Sequence, residues 1–157
     1  MEFLESQKVK KNNIRINQKY NHEVKIVTLQ DPVDLRERDL RFLNGESLDE
    51  MMSELDKCDL NSDAGQRATL HSKVLTFLRL DPKNSETFVN ILKIKQPSSY
   101  SFRIILSAFI LSGNEIEQNL LSVLLNDIFY PIDRKKAIIT KLPELKVISI
   151  TLFKAVE

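Results

Sequence analysis

The side chains in this sequence that could do chemistry are two histidines, one cysteine and a run of carboxylates, and their spacing gives none of them an organised partner. His22 stands between Asn21 and Glu23, and His71 stands in a helical pattern. A zinc or hydrolytic site needs ligands or a base and nucleophile at fixed spacing. The chain has no H-E-x-x-H, no second cysteine and no third ligand near either histidine. Both histidines are expected to be structural. Cys58 lies between Lys57 and Asp59 with no base in reach, so an inert thiol is expected rather than a nucleophile. The acids Asp49, Glu50, Glu54, Asp56 and Asp59 run into an oxygen-rich stretch ending at Asp63, but the stretch lacks the loop glycine and closing glutamate of an EF-hand. It reads as a solvated helix face followed by an N-cap. Gly45, Gly65 and Gly113 are isolated, so no phosphate-cradling loop is formed, and no G-x-S-x-G is present. No catalytic, cofactor-binding or metal-ligating residue is expected, and no cofactor.

Charge distribution narrows the partners. The chain of 157 residues is near neutral at +1, yet residues 31–60 hold ten acids against four basic residues. Residues 1–30 hold six basic residues against three acids. The basic stretch, Lys8, Lys10, Lys11, Arg15 and Lys19, has only Phe3 and Tyr20 as aromatic neighbours. That is not the concentrated face a nucleic acid requires, so no nucleic-acid binding is expected. A single cysteine cannot form an intrachain disulfide, which suits a reducing compartment, with a cytoplasmic location as the default. Met1 to Lys11 has no apolar core of a secretory signal. The most apolar run, Phe102 to Leu111, is about half of the ~20 residues that span a bilayer. No transmembrane segment is expected.

The elements that must position these residues are mainly helical. Asn13 to Asn17 alternates and His22 to Leu29 is β-branched with partial alternation, so a short β-hairpin or two strands, the remnant of a preceding domain, is expected over residues 1–30. Asp31-Pro32 starts a helix that ends at Asn44-Gly45. Ser47 and Glu50 make a capping box for a second short helix. These two leading helices occupy 31–60. Residues 61–157 then read as three helix pairs. The first pair runs over roughly 63–80 and 82–95, with Asp81-Pro82 and Ser85-Glu86 as alternative starts for its second helix. Pro97-Ser98-Ser99 opens the second pair, Gly113 stops its first helix, and Asn114 with Glu117 caps its second. Pro131 and Asp133 open the third pair and Pro143 breaks it. The last segment, Val147 to Val156, is strand by propensity; the repeat register makes it helix.

That register is a period of 32 or 33 residues. Leu70, Val74, Phe77 and Leu78 fall on Phe102, Leu106, Phe109 and Ile110 at an offset of 32. Phe88, Val89, Ile91 and Leu92 fall on Leu120, Leu121, Val123 and Leu124 at the same offset. At 33, Arg103, Ile104, Ile105, Leu106 and Phe109 fall on Lys136, Ala137, Ile138, Ile139 and Leu142, and Leu120 and Val123 on Phe153 and Val156. Such a period is the mark of stacked helix pairs. Phe77, Phe88, Phe102, Phe109, Phe129 and Phe153 are expected on inner faces, as core.

Helix pairs at this spacing resemble HEAT-type α-solenoid repeats, and Asp133-Arg134-Lys135-Lys136-Ala137-Ile138-Ile139 is similar to the acid-basic-small pattern of their turns. Ala108 and Ala137 supply the small positions and Thr76 departs from them. The resemblance covers about 62–157 and implies a right-handed α-α superhelix. Strands followed by such helices also resemble the order in vitellogenin-like lipid-transfer proteins, which implies an apolar lipid-facing wall. The function expected is a non-catalytic scaffold binding a protein partner through its concave helical face. The alternative is a lipid-binding wall of a larger exported protein, and the third is an accessory domain of an enzyme. The final segment offers Val147, Ile148, Ile150, Leu152, Phe153 and Val156 with little polar surface for a cap. The chain is therefore expected to be a fragment, with an apolar C-terminal edge that stacks on another repeat or a second copy.

Overall fold

A computed structural model of the chain describes residues 32–157, with side chains from Leu35 onward. The expected hairpin over 1–30, the Asp31 cap, His22 and the basic stretch from Lys8 to Lys19 lie outside the described residues. The chain divides into two units, Met1–Arg38 and Asp39–Glu157. The second holds most of the described helices and their core.

Among the described residues there are eight α-helices and no strand. They are α1 (Pro32–Leu43), α2 (Leu48–Cys58), α3 (Ala64–Leu80), α4 (Asn84–Ile94), α5 (Tyr100–Ser112), α6 (Glu115–Asn126), α7 (Ile132–Lys141) and α8 (Ile150–Ala155). Their ends follow local chemistry. Asn44 and Gly45 both take left-handed φ and stop α1. Ser47 and Glu50 close the expected capping box on α2, and Asp63 with Gln66 closes a second one on α3. Gly113, at φ 60°, ends α5; a side chain there would be strained. The start of α4 falls between the two expected positions. The Asp81 carboxylate accepts the Lys83 amide, and Asn84 reaches back to the Phe77 carbonyl.

Two starts differ from expectation. Asn114 makes no side-chain cap on α6, and its expected partner Glu117 is turned inward and fully buried. There Glu117 accepts the Ser112 hydroxyl at 2.8 Å, closing the α5–α6 corner from inside. The final segment is helical despite its β propensity, but only from Ile150, where the Ser149 hydroxyl caps Leu152. Pro143 sits in a single 3-10 turn, Leu142–Glu144.

Helices α3, α5 and α7 touch in succession, and so do α4, α6 and α8, while α2 lies across α3 and α5. The most apolar helix, α5, is the centre. Phe102, Ile105, Leu106, Ala108 and Phe109 are buried on several sides of it, as an all-round apolar helix requires. Each fully buried Phe or Leu contributes about 1.5–3 kcal/mol by leaving water. Every buried residue of α3 falls on a buried residue of α5 at an offset of 32, including Thr76 on Ala108. The Thr76 hydroxyl reaches its place by bonding the Ser72 carbonyl.

The second helices follow a different offset. Ser85, Phe88, Val89, Ile91 and Leu92 fall on Gln118, Leu121, Ser122, Leu124 and Leu125 at 33, buried onto buried. At the expected 32, Ile91 would fall on exposed Val123. The connection is shorter after α5, Gly113-Asn114 against Asp81-Pro82-Lys83, so the extra residue comes from the first turn of α6, where three helical residues precede Gln118 against one before Ser85 in α4. From α7 to α8, Ile138, Leu142 and Leu152 are buried, whereas Ile139 and Phe153 are exposed.

Candidate functional site

The acidic stretch is absorbed by bases on the helices that come after it. Lys73 of α3 bridges Glu46 at 2.7 Å and Glu54 at 3.2 Å. Burial works against its charge, but the two carboxylates hold its pKa above the ordinary lysine value. Arg79 pairs with Asp39 through two nitrogens. Lys95, at the end of α4, pairs with Asp56 and Asp59. The expected solvated acidic face is thus corrected in part: Glu50 and Asp63 are caps, but Glu54, Asp56 and Asp59 are ion-paired. Between α2 and α3 lies a broad open groove of about 610 Å³, with Cys58 and Leu70 on its floor and Glu54 and Lys73 on its rim.

Cys58 is buried and its thiol donates to the Leu55 carbonyl at 3.1 Å. Burial pushes its pKa up, away from the thiolate that a nucleophile needs, and Asp59 beside it adds to the rise. His71 is half-buried on α3. Burial lowers its pKa, a hydrogen bond to the Ser107 backbone opposes the fall, and its Nε2 has no partner. Among the described residues no group of three His, Cys, Asp or Glu is arranged to hold a metal ion. No helix there is long and apolar enough to cross a membrane.

Exposed apolar side chains also stand on the α6–α7 turn, on α7 and on α8. The turn begins at Asp127. The Asp127 carboxylate accepts the Phe129 amide and its carbonyl accepts the Tyr130 amide, which throws Phe129 outward, 86% exposed, and Tyr130 inward. Phe129 is therefore on the surface and not on an inner face as expected. Tyr130 donates to the Leu92 carbonyl, and Arg134 Nε donates to the Lys95 carbonyl at 2.6 Å. Both acceptors lie at the C-terminal end of α4, where carbonyls lack helical partners. Burial pushes the Tyr130 pKa up to about 12, so this donor keeps its proton. Asp133, the acid of the repeat-like pattern, takes the Arg134 amide instead of the guanidinium.

Gln118 of α6 fixes the other end. Its amide nitrogen donates to the Gly113 and Val147 carbonyls, and its oxygen accepts the Ser149 amide at 2.7 Å. A buried amide with all these bonds made is a rigid clamp on the segment that starts α8. Leu152 then buries against α6, which turns Ile150, Phe153 and Lys154 outward together. On α7, Ile132, Lys136 and Ile139 share an exposed stripe at helical spacing. Val147 and Ile148 are exposed between the two helices. Phe153, at 51% exposure, is likewise corrected from core to surface.

Sequence reading singled out none of Gln118, Tyr130 or Arg134 as positioning groups. The offset of 33 for the second helices would have placed Gln118 on buried Ser85, and a glutamine at a core position signals a clamp. Comparison of this chain with family models, with curated proteins and with solved structures returns no match.

Proposed function

We propose that this protein is a non-catalytic binding scaffold, a stack of helix pairs in the manner of a HEAT-like α-solenoid that engages a protein partner. The observation that carries the reading is the set of large apolar side chains standing exposed on the α6–α7 turn, α7 and α8, next to a core that is complete without them. Eight of the exposed large apolar residues fall between Ile128 and Phe153, and exposed apolar residues that cluster favour an interaction surface, whereas single ones are ordinary. The succession of contacts along α3, α5, α7 and along α4, α6, α8 supports the stacked arrangement. The buried thiol of Cys58, whose pKa burial pushes up, supports a role without nucleophilic chemistry at that residue. The binding surface in this reading is not a groove along α5, whose flanks are covered by its neighbours, but the outward faces of the last pair.

The experiment is paired affinity capture with the full chain and its Ile139→Asp/Phe153→Asp variant, followed by reconstitution from purified components. A polypeptide retained by the first bait and lost by the second, and binding it at one-to-one stoichiometry in calorimetry, is the expected result. Lipid in an organic extract of the captured material with no stoichiometric polypeptide would replace this reading with a lipid-binding wall. Turnover of a substrate by the purified chain would remove it.

A further inference from the structure

Two arginines converge on one aromatic ring. Arg67, near the start of α3, and Arg103, near the start of α5, hold their guanidinium carbons over the ring of Tyr100, at 4.1 and 4.9 Å from its centroid. A backbone carbonyl fixes each of them. Arg67 Nη1 donates to the Ser62 carbonyl at 2.8 Å and to its hydroxyl at 3.2 Å, and Arg103 Nη2 donates to the Ser98 carbonyl at 2.9 Å. Among the described residues no carboxylate pairs with either arginine. The acids before α3 are engaged elsewhere: Asp56 and Asp59 hold Lys95, Asp59 also takes the Ser101 amide and hydroxyl, and Asp63 caps α3. We propose that Arg67 and Arg103, set on Tyr100, form a binding site for a phosphate monoester.

A single unpaired base is ordinary on a surface, and Lys57, Lys83 and Lys93 are examples. Two cations brought to one ring are a different case. The ring face attracts each guanidinium but leaves both charges, and their mutual repulsion, in place. An anion that touches both removes the repulsion. The donors for it are present: Nε and Nη2 of Arg67, and Nε and Nη1 of Arg103, have no acceptor among the described residues. These forks match the oxygens of a phosphate. A phosphate monoester brings close to two negative charges and three acceptor oxygens at neutral pH, enough for both arginines. A carboxylate or a phosphodiester brings one charge. The first amides of α5 are not what recognises the ligand, because Asp59 already takes the Ser101 amide and Ser99 the Phe102 amide. The guanidinium groups carry the recognition. The site does not involve the exposed apolar residues of the scaffold reading, and its failure leaves that reading in place.

The test is a titration of the full, isotope-labelled chain at constant ionic strength, followed by NMR at the arginine Nε–H signals. The probes are phenyl phosphate, dimethyl phosphate and acetate. Phenyl phosphate is expected to give saturable shifts at Arg67 and Arg103 and to bind at least ~10-fold more tightly than the other two. Its affinity should rise between about pH 5 and about pH 7.5, as the second phosphate proton leaves near pH ~6. Arg103→Gln should weaken it at least ~10-fold, and Arg103→Lys, which keeps the charge and loses the fork, should recover only part of that. Arg103 is exposed, and a thermal melt matching the parent confirms that each variant folds; the comparison of probes on the parent chain needs no variant. Phosphorylated and unphosphorylated copies of a peptide library then identify the source of the ester. Phosphopeptides that bind more tightly than phenyl phosphate, and lose that binding in Arg103→Gln, assign it to a partner's modified side chain. Phosphopeptides that bind no better assign it to a small phosphate ester. Equal affinity for the three probes, shifts that appear at Lys57, Lys83 and Lys93 as strongly as at the two arginines, or binding unchanged in Arg103→Gln would overturn the site.

Discussion

The Asp59 carboxylate, just past the end of α2, accepts both the amide and the hydroxyl of Ser101, at 2.8 and 2.7 Å, in the first turn of α5. One side chain thereby supplies an acceptor to an unpaired N–H of the central helix and to a hydroxyl with no exposure to water. Burial alone would raise the Asp59 pKa; the Ser101 hydroxyl and amide, with Lys95, hold it below the ordinary carboxylate value.

Asp59→Ala is expected to cost about 2–3 kcal/mol, the sum of a lost cap and a stranded buried hydroxyl. Ser101→Ala should cost less, and the double variant should cost less than the two singles together. Because the folded pKa is depressed, this contribution is fully present above the unfolded carboxylate range near ~3.9. It is lost as pH falls through the lower folded value. Urea titrations of the four proteins at neutral pH measure the coupling; strict additivity would contradict the contact.

Phe109 and Phe129 are both aromatic residues on the apolar pattern, and the structure puts them at opposite extremes, 0% and 86% exposed. Phe109→Ala should cost on the order of 3–5 kcal/mol, the range for emptying a packed aromatic site. Phe129→Ala should change stability by less than about 0.5 kcal/mol. The comparison is a pair of denaturant midpoints with unchanged slope. A similar loss in both variants would mean that the Asp127 turn does not present Phe129 to solvent.

That pair also shows what the sequence could and could not tell. Caps were readable because they are local: Ser47 with Glu50 and Gly113 stand where their chemistry is needed, and their neighbours in sequence are sufficient to recognise it. Phe77, Phe109 and Leu142 were readable because helical periodicity within a helix is fixed, and all three are buried. The exposed Phe129 beside the buried Tyr130 was not readable. A turn has no period, and the choice depends on which side chain can reach the Leu92 carbonyl 38 positions away. Glu117 misled for a related reason. A glutamate three residues after an asparagine fits a capping box, but the Ser112 hydroxyl across the α5–α6 corner competes for it and wins.

His71 sets the behaviour in mild acid. Its burial on α3 keeps the folded pKa below the ordinary value, with its Nε2 unpartnered. The unfolded chain therefore binds the proton first, near pH ~6.5. The stability linked to this residue is complete above that pH and is lost as pH falls from there through the depressed folded value. His71→Gln should flatten the fall in urea midpoint on going from neutral to mildly acidic pH, a window well above the one in which Asp59 titrates. Parallel curves for the parent and the variant would show that the imidazole is freely protonated in the folded protein.

Gln118 holds α8 in place almost alone in polar terms, through Val147 and Ser149, while Leu152 supplies the apolar anchor. Replacing it with Met keeps the volume and removes the clamp, which leaves the Val147 carbonyl and Ser149 amide without protein partners. The expected effect is regional. Amides from Val147 to Val156 should exchange markedly faster with deuterium, while those of α3 and α5 keep the protection of the global unfolding reaction. Gln118→Glu discriminates further. Its carboxylate can still accept the Ser149 amide but faces the Gly113 and Val147 carbonyls with no proton to offer, so it should loosen the segment at neutral pH and recover as the acid is protonated. Uniform loss of protection across all helices in Gln118→Met would mean that α8 unfolds only with the whole unit, and that the outward face of Ile150 and Phe153 is as rigid as the core beneath it.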